Sequence, residues 1–227
     1  MSFFQVLGKE NEINCYPNEI KIVFLQSKSN DRIMAYRAID IAKKIVCRTD
    51  VLHGDTISNL KLQKLLYYMQ GFHLAWFGTP FFNEPIEAWT YGPVVPVVFQ
   101  EFKKFSGRAI NPGSYSDDLV LSGERQLLFD MVYKEYSRFS AVALMNMTHS
   151  DGPWKNHKMG EEMTCSEIHD FFLSLIDETE SKDGGESKVL AQKTAEEIYA
   201  AGHDVTPDEL YDMIVKDIDA IYADESI

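Results

Sequence analysis

The stretch NLKLQKLLYYMQGFHLAWF, residues 59–77, limits the folds open to this chain more than any other. Leu62, Leu65, Leu66, Met69, Phe72, His73 and Trp76 recur at the three- and four-residue steps of an α-helix with one wholly apolar face. Ser58 or Asn59 can accept a hydrogen bond from the first-turn amides, and Gly78 followed by Pro80 stops the helix because proline cannot continue it. Lys61 and Lys64 lie off the apolar stripe and read as its solvated side, with phosphate contact as the sharper alternative.

Around this helix the punctuation is that of more helices and a little β structure. Before it, Ala38, Ile41, Ala42 and Ile45 fall at helical spacing. After it, FFNEPIEAWTY predicts a short strand, Gly92-Pro93 turns the chain, and Pro96 suits the first position of a helix whose Phe99, Phe102 and Phe105 share a face. A second short strand at 119–121 (LVL) could pair with the first. Ser122 and Ser140 can cap two further helices, SDGPWKNHKMG breaks the second, and Thr164 with Glu167 forms a capping box opening a third.

Both ends read differently from this middle. Residues 1–33 hold one strand-like run, IKIVFLQ, and a linker-like SKSNDR, so they form a leader or an extra strand, and Met34 is an alternative start. SKDGGESK is the clearest linker; beyond it lie two amphipathic helices, the second opened by Thr206-Pro207-Asp208-Glu209. Residues 183–227 carry 12 acidic side chains against 3 lysines, a net −9 of the chain's −13. Such a segment is either a solvated appendage or a docking element for a basic or apolar partner. The expectation is therefore a mainly α protein: a compact helical domain with a short β pair over 34–180, and an acidic C-terminal helical appendage over 181–227.

Composition excludes several classes of function. A charge of −13 argues against nucleic acid, whose phosphates need clustered Lys and Arg. No apolar run approaches a membrane span, and MSFFQVLGKENE has neither the basic nor the apolar region of a secretory signal, which predicts a cytoplasmic protein. Cys15, Cys47 and Cys165 are far apart with no CxxC pair, fitting reduced thiols rather than a zinc site, with Cys47 as a small core residue. No phosphate-binding glycine loop, nucleophile elbow or HExxH helix occurs.

What chemistry remains sits in one loop, 149–157. His149, Ser150 and Asp151 could supply a general base and a nucleophile for hydrolysis, or His149 could join His157 and Glu161 around a metal. The plainer reading makes Ser150 and Asp151 turn residues and His149 a helix-terminal cation, so no catalytic residue, metal or cofactor is assigned. His73, on the apolar face, reads as a hydrogen-bonded core histidine. Trp76, Trp89 and Tyr91 are open to two readings, core filling or an exposed aromatic anchor for a protein partner.

At LKLQKLLYY, at W-x-YGPVVP and again at THSDGPW, the chain resembles the phage-associated SocA/GepA-like family, the Panacea-domain antitoxins, from about residue 34 to about 176. The resemblance implies a mainly helical domain that neutralises, by direct binding and without chemistry, a toxin encoded beside it. One branch is similar to proteolytic adaptors that hand the toxin to a ClpXP-type protease. The family pattern lands on Leu62, Lys64, Leu65, Tyr67 and Tyr68; on Trp89, Tyr91, Gly92, Pro93, Val94 and Pro96; and on His149, Ser150, Gly152, Pro153 and Trp154. Together with Trp76 and Asp151, these are the expected scaffold or partner-binding positions. The leader and the acidic tail fall outside the pattern and are candidates for partner specificity.

Overall fold

The computed structural model describes residues 35–51 and 55–181, with side chains as far as Ile176. The expected leader or strand at 1–33, the start at Met34, Cys15 and the acidic appendage from 182 onward lie outside the described residues.

Seven helices and one small sheet make up the described chain. In order these are α1 (Ala38–Cys47), α2 (Asn59–Phe77), β1 (Ile86–Trp89), β2 (Gly92–Val94), α3 (Pro96–Phe102), α4 (Gly123–Tyr136), α5 (Ala141–Ser150), α6 (Gly152–Lys155), β3 (Glu162–Met163) and α7 (Cys165–Ser181). Short 3₁₀ turns at Lys103–Phe105 and Pro112–Ser114 lead from α3 towards α4. The protein is mainly α, as its helical spacing predicts.

Helix α2 is the axis of the domain, packed by α1, α3, α4, α5, α7 and β2. Its ends follow the sequence: Ser58 Oγ accepts from Lys61 N at 3.4 Å, and Gly78 closes the helix in a left-handed conformation, φ 65°. Its sides do not. Every residue from Lys61 to Gly71 is buried, so the helix is enclosed on all faces rather than amphipathic. The closest approach is to α7: a Cβ on Gly71 would lie 2.2 Å from the Phe172 ring. Glycine at that point lets the two backbones come together over a core that includes Tyr67, Leu66 and Phe172.

The sheet has the order β2-β1-β3, all antiparallel. Its first pair is a tight hairpin, with Trp89 opposite Gly92 and Ala88 opposite Pro93 across the turn Thr90-Tyr91. This corrects the pairing expected with 119–121, which forms no strand; Leu121 instead inserts into the core while Val120 is 87% exposed. The hairpin closes early because Gly92 holds φ +95°, open to glycine and costly for other residues. Pro93 is tolerated because β2 is an edge strand and needs no N–H on that side.

Other local signals hold with one exception. Ser140 caps α5 through Ala143 N at 3.1 Å, and Thr164 with Glu167 makes both bonds of the capping box. Ser122 sits at the start of α4 but accepts from the Arg125 guanidinium instead of a backbone amide. Cys47 is half-buried rather than enclosed, and Cys165 is exposed; both are free thiols. Among the described residues no helix is long and apolar enough to cross a membrane.

Candidate functional site

The polar residues of α2 explain how a helix buried on all sides can carry them. Each finds backbone that would otherwise be unpaired. Gln63 Oε1 accepts from Val95 N at 2.9 Å, its amide donates to Asn59 Oδ1 at 3.0 Å, and Asn59 Nδ2 donates to Phe99 O at 3.1 Å. Two turns on, Gln70 accepts from Phe81 N and donates to Phe82 O, while His73 Nδ1 meets Thr79 O at 2.7 Å. Lys61 Nζ reaches Ser137 O at 2.6 Å and Lys64 Nζ reaches Pro93 O at 2.9 Å. These contacts correct the reading of Lys61 and Lys64 as a solvated side: Lys64 is wholly enclosed and Lys61 nearly so. Both amines are held below the usual lysine range by desolvation.

The elbow YGPVVP is thereby fastened from within. Pro93 and Pro96 donate no backbone hydrogen bond, so the segment cannot satisfy itself by regular pairing, and Lys64 and Gln63 supply the missing partners. Gly92 is the tightest point. A Cβ there would stand 2.6 Å from Thr148 Oγ1 and 2.8 Å from Lys64 Nζ. Thr148 is itself fully buried and donates to Met145 O at 2.8 Å. The three motifs separated in sequence, on α2, on the β1–β2 hairpin and at the end of α5, therefore meet at Gly92.

Beside this contact the end of α5 turns into α6. The His149 ring stacks on Trp154, centroids 4.1 Å apart, and Trp154 Nε1 donates to Trp89 O at 2.8 Å. Burial pushes His149 down to about 4, the Lys64 charge adding to the effect and the Thr90 carbonyl opposing it, so the ring is neutral at pH 7. Asp151 is pushed up to about 7 by burial, with Tyr67 and Lys155 pulling the other way. Burial also raises Tyr67, Tyr68 and Tyr136, and Tyr68 stacks on Tyr136 at 4.0 Å. Tyr67 Oη, His149 Nε2 and Asp151 Oδ2 are buried without a hydrogen-bond partner, three of seven such atoms among the described residues. Tyr67 and Asp151 face one another closely enough that the hydroxyl draws the carboxyl down and the carboxyl pushes the phenol up.

The remaining expected positions divide. Trp89 is 3% exposed and packs with Val94, Phe99 and Met145 in a small second cluster, against which Tyr91 lies half-buried. Trp76 is half-buried against the main core beside Phe72, so the three aromatics do not form one anchor. Pro96 opens α3, half-buried. The alternatives within loop 149–157 come apart: His157 meets Pro153 O at 2.8 Å and faces Glu167 at 3.5 Å, while Glu161 accepts from Lys158 N. His149 Nε2 has no partner, Ser150 included, and no group of three metal-binding side chains occurs among the described residues. Gln63, Gln70, Thr148 and Tyr136 are the members of the arrangement that periodicity misses, because an apolar-stripe reading sends off-stripe polar residues to solvent.

Residues 62–155, from α2 through α6, match the family described as antitoxin SocA-like, Panacea domain. The chain is also 36% identical over 110 residues to the protein named Antitoxin SocA of Caulobacter vibrioides (strain NA1000 / CB15N), an alignment that spans 43% of this chain and 58% of that protein. It thus covers less than two thirds of the length of the curated relative it matches. No solved structure matches the chain. The matched segment takes in all three motifs that converge on Gly92, and over residues 62–155 the chain is similar to the antitoxin SocA-like, Panacea-domain family.

Proposed function

We propose that this protein is an antitoxin that neutralises a toxin protein by direct, non-enzymatic binding in the cytoplasm. The observation that carries the reading is the similarity to Antitoxin SocA over the segment whose motifs fold into one rigid corner. The arrangement suits binding better than turnover. Its lysine is sealed, its histidine has no nucleophile beside it, and its Trp154 ring is pinned to the backbone of β1. The half-buried His149–Trp154 stack, with Thr90 beside it and Met159 bonded to Thr90, presents a partly apolar surface of the kind that dominates protein interfaces.

The test is co-expression with the protein encoded by the neighbouring gene, each under its own inducer. Growth arrest by the neighbour alone, relieved by this chain and accompanied by a stable complex, is the expected result. A harmless neighbour, or no rescue, overturns the reading. Recovery of ClpXP-type protease subunits with the complex, and loss of rescue in cells lacking that protease, would make the protein an adaptor that delivers the toxin for degradation.

A further inference from the structure

A cleft of about 240 Å³ opens between the first two turns of α1 and the strap 116–119, and none of its lining residues belongs to the three motifs. Arg37, Asp40 and Lys43 form one wall, and Ser116, Asp118 and Leu119 form the other. The strap is pinned by the residue next to the cleft. Lys44 Nζ donates to Asp117 Oδ2 at 2.9 Å and to Leu119 O at 3.0 Å, and it lies 5.6 Å from the centre of the Phe129 ring. The opening is therefore built by the fold. What the fold leaves open is charge. Arg37 and Asp40 satisfy each other, through Nε to Oδ2 at 2.7 Å and Nη2 to Oδ1 at 2.8 Å. Lys43, half-buried, pairs with no carboxylate among the described residues, and Asp118 accepts only from the Ser116 hydroxyl, at 2.7 Å. The two stand on opposite walls, too far apart to pair with each other. A phosphate in the cleft would meet the charges of Asp40 and Asp118, and a metal ion those of Arg37 and Lys43. A molecule with opposite charges on neighbouring groups satisfies both walls at once, each contact being a charge-assisted hydrogen bond.

We infer that this cleft is a binding site for a small zwitterion, a free α-amino acid whose carboxylate meets Lys43 and whose ammonium meets Asp118, with Leu119 against its side chain. The volume admits the head group and a short aliphatic chain, and lies below the roughly 300–1,000 Å³ of sites that enclose larger ligands. Both contacts are open to solvent, which holds the affinity to the millimolar order. The site goes beyond the antitoxin reading and does not rest on it.

The experiment is an NMR titration of the full chain with alanine, valine and leucine, each set beside its N-acetyl and its amide derivative, which lack one charge apiece. Saturable shifts at Lys43 and in the strap 116–119 are expected with at least one of the three amino acids, and both of its derivatives should bind about 10-fold more weakly or worse. Lys43→Met and Asp118→Asn should each weaken binding by about 10-fold or more. Neither residue supplies the bonds of Lys44 that pin the strap, so thermal unfolding of both variants should match that of the wild type. No saturable shift from any of the three at up to about 20 mM overturns the site. So does equal binding of the derivatives, binding of the N-acetyl form alone, or unchanged affinity in the two variants.

Discussion

The two polar systems that share α2 differ in completeness. On the Asn59–Gln63 side every donor and acceptor is used: the chain from Val95 N through Gln63 and Asn59 to Phe99 O closes without a gap. One turn further on, the side facing α5 and α6 leaves Tyr67, His149 and Asp151 each with an orphaned atom. A satisfied buried network rigidifies a fold, whereas an incomplete one costs stability. The first side is closed scaffold, and the second is the less completed of the two.

Changes on the complete side should cost most. Gln63→Leu keeps the volume of the side chain but strips Val95 N and Asn59 Oδ1 of their partners inside the core. A loss of about 3–5 kcal/mol in urea unfolding is expected. A loss below about 1 kcal/mol would mean that the clip does not hold the elbow. Next is Gly92→Ala, where the two sides touch. Its φ of +95° and the approach to Thr148 Oγ1 and Lys64 Nζ predict a loss of about 2–3 kcal/mol. If the added methyl group were accommodated freely, the convergence of the three motifs would be loose rather than tight.

How far the sequence reveals this division depends on what each signal measures. Capping residues and prolines act within a few residues, so Ser58, Gly78, Pro96, Ser140 and the Thr164–Glu167 box are legible from the string alone. Enclosure is a tertiary property. The spacing along α2 finds one apolar stripe, but nothing local says that α4, α5 and β2 also cover the side with Lys61 and Lys64. The strand partner of β1 is missed for a similar reason: LVL has the β-prone composition, while Gly92-Pro93-Val94 reads as a turn until its edge position and its bond to Lys64 are known. For the site, the motifs name most of the residues that meet at the corner. They do not tell which of them are satisfied, and that distinction separates Gln63 from Asp151.

Changes on the incomplete side should be gentler and should depend on pH. Asp151 has a folded value of about 7, above the 3.8 of a free carboxyl, so the folded protein holds the extra proton. That contribution is complete at low pH and is lost as pH rises from about 4 to about 7. Asp151→Asn should therefore stabilise the protein measurably at pH 8 and hardly at all at pH 4. Thermal unfolding at the two pH values checks it. Equal effects at both would show that the carboxyl is not burdened by its surroundings.

The smallest effect belongs to His149, and its sign is opposite. Its folded value of about 4 lies below the ordinary 6.5, so the unfolded chain binds the proton first and stability drains away as pH falls from 6.5 towards 4. Over that window Asp151 works the other way, and His73, also lowered to about 4 by burial, works with His149. Two rising slopes against one falling leave these three groups raising the wild-type stability as pH goes from about 4 to 6.5, Asp151 offsetting one of the two histidines. His149→Gln forfeits the ring stacked on Trp154 at every pH but removes one of the descending slopes. Relative to wild type it should gain about 1 kcal/mol between pH 8 and pH 5, read from denaturant midpoints at each pH. A constant difference across that range would place His149 in contact with water, and the corner would then lose one of the three groups that set it apart from the Gln63 side.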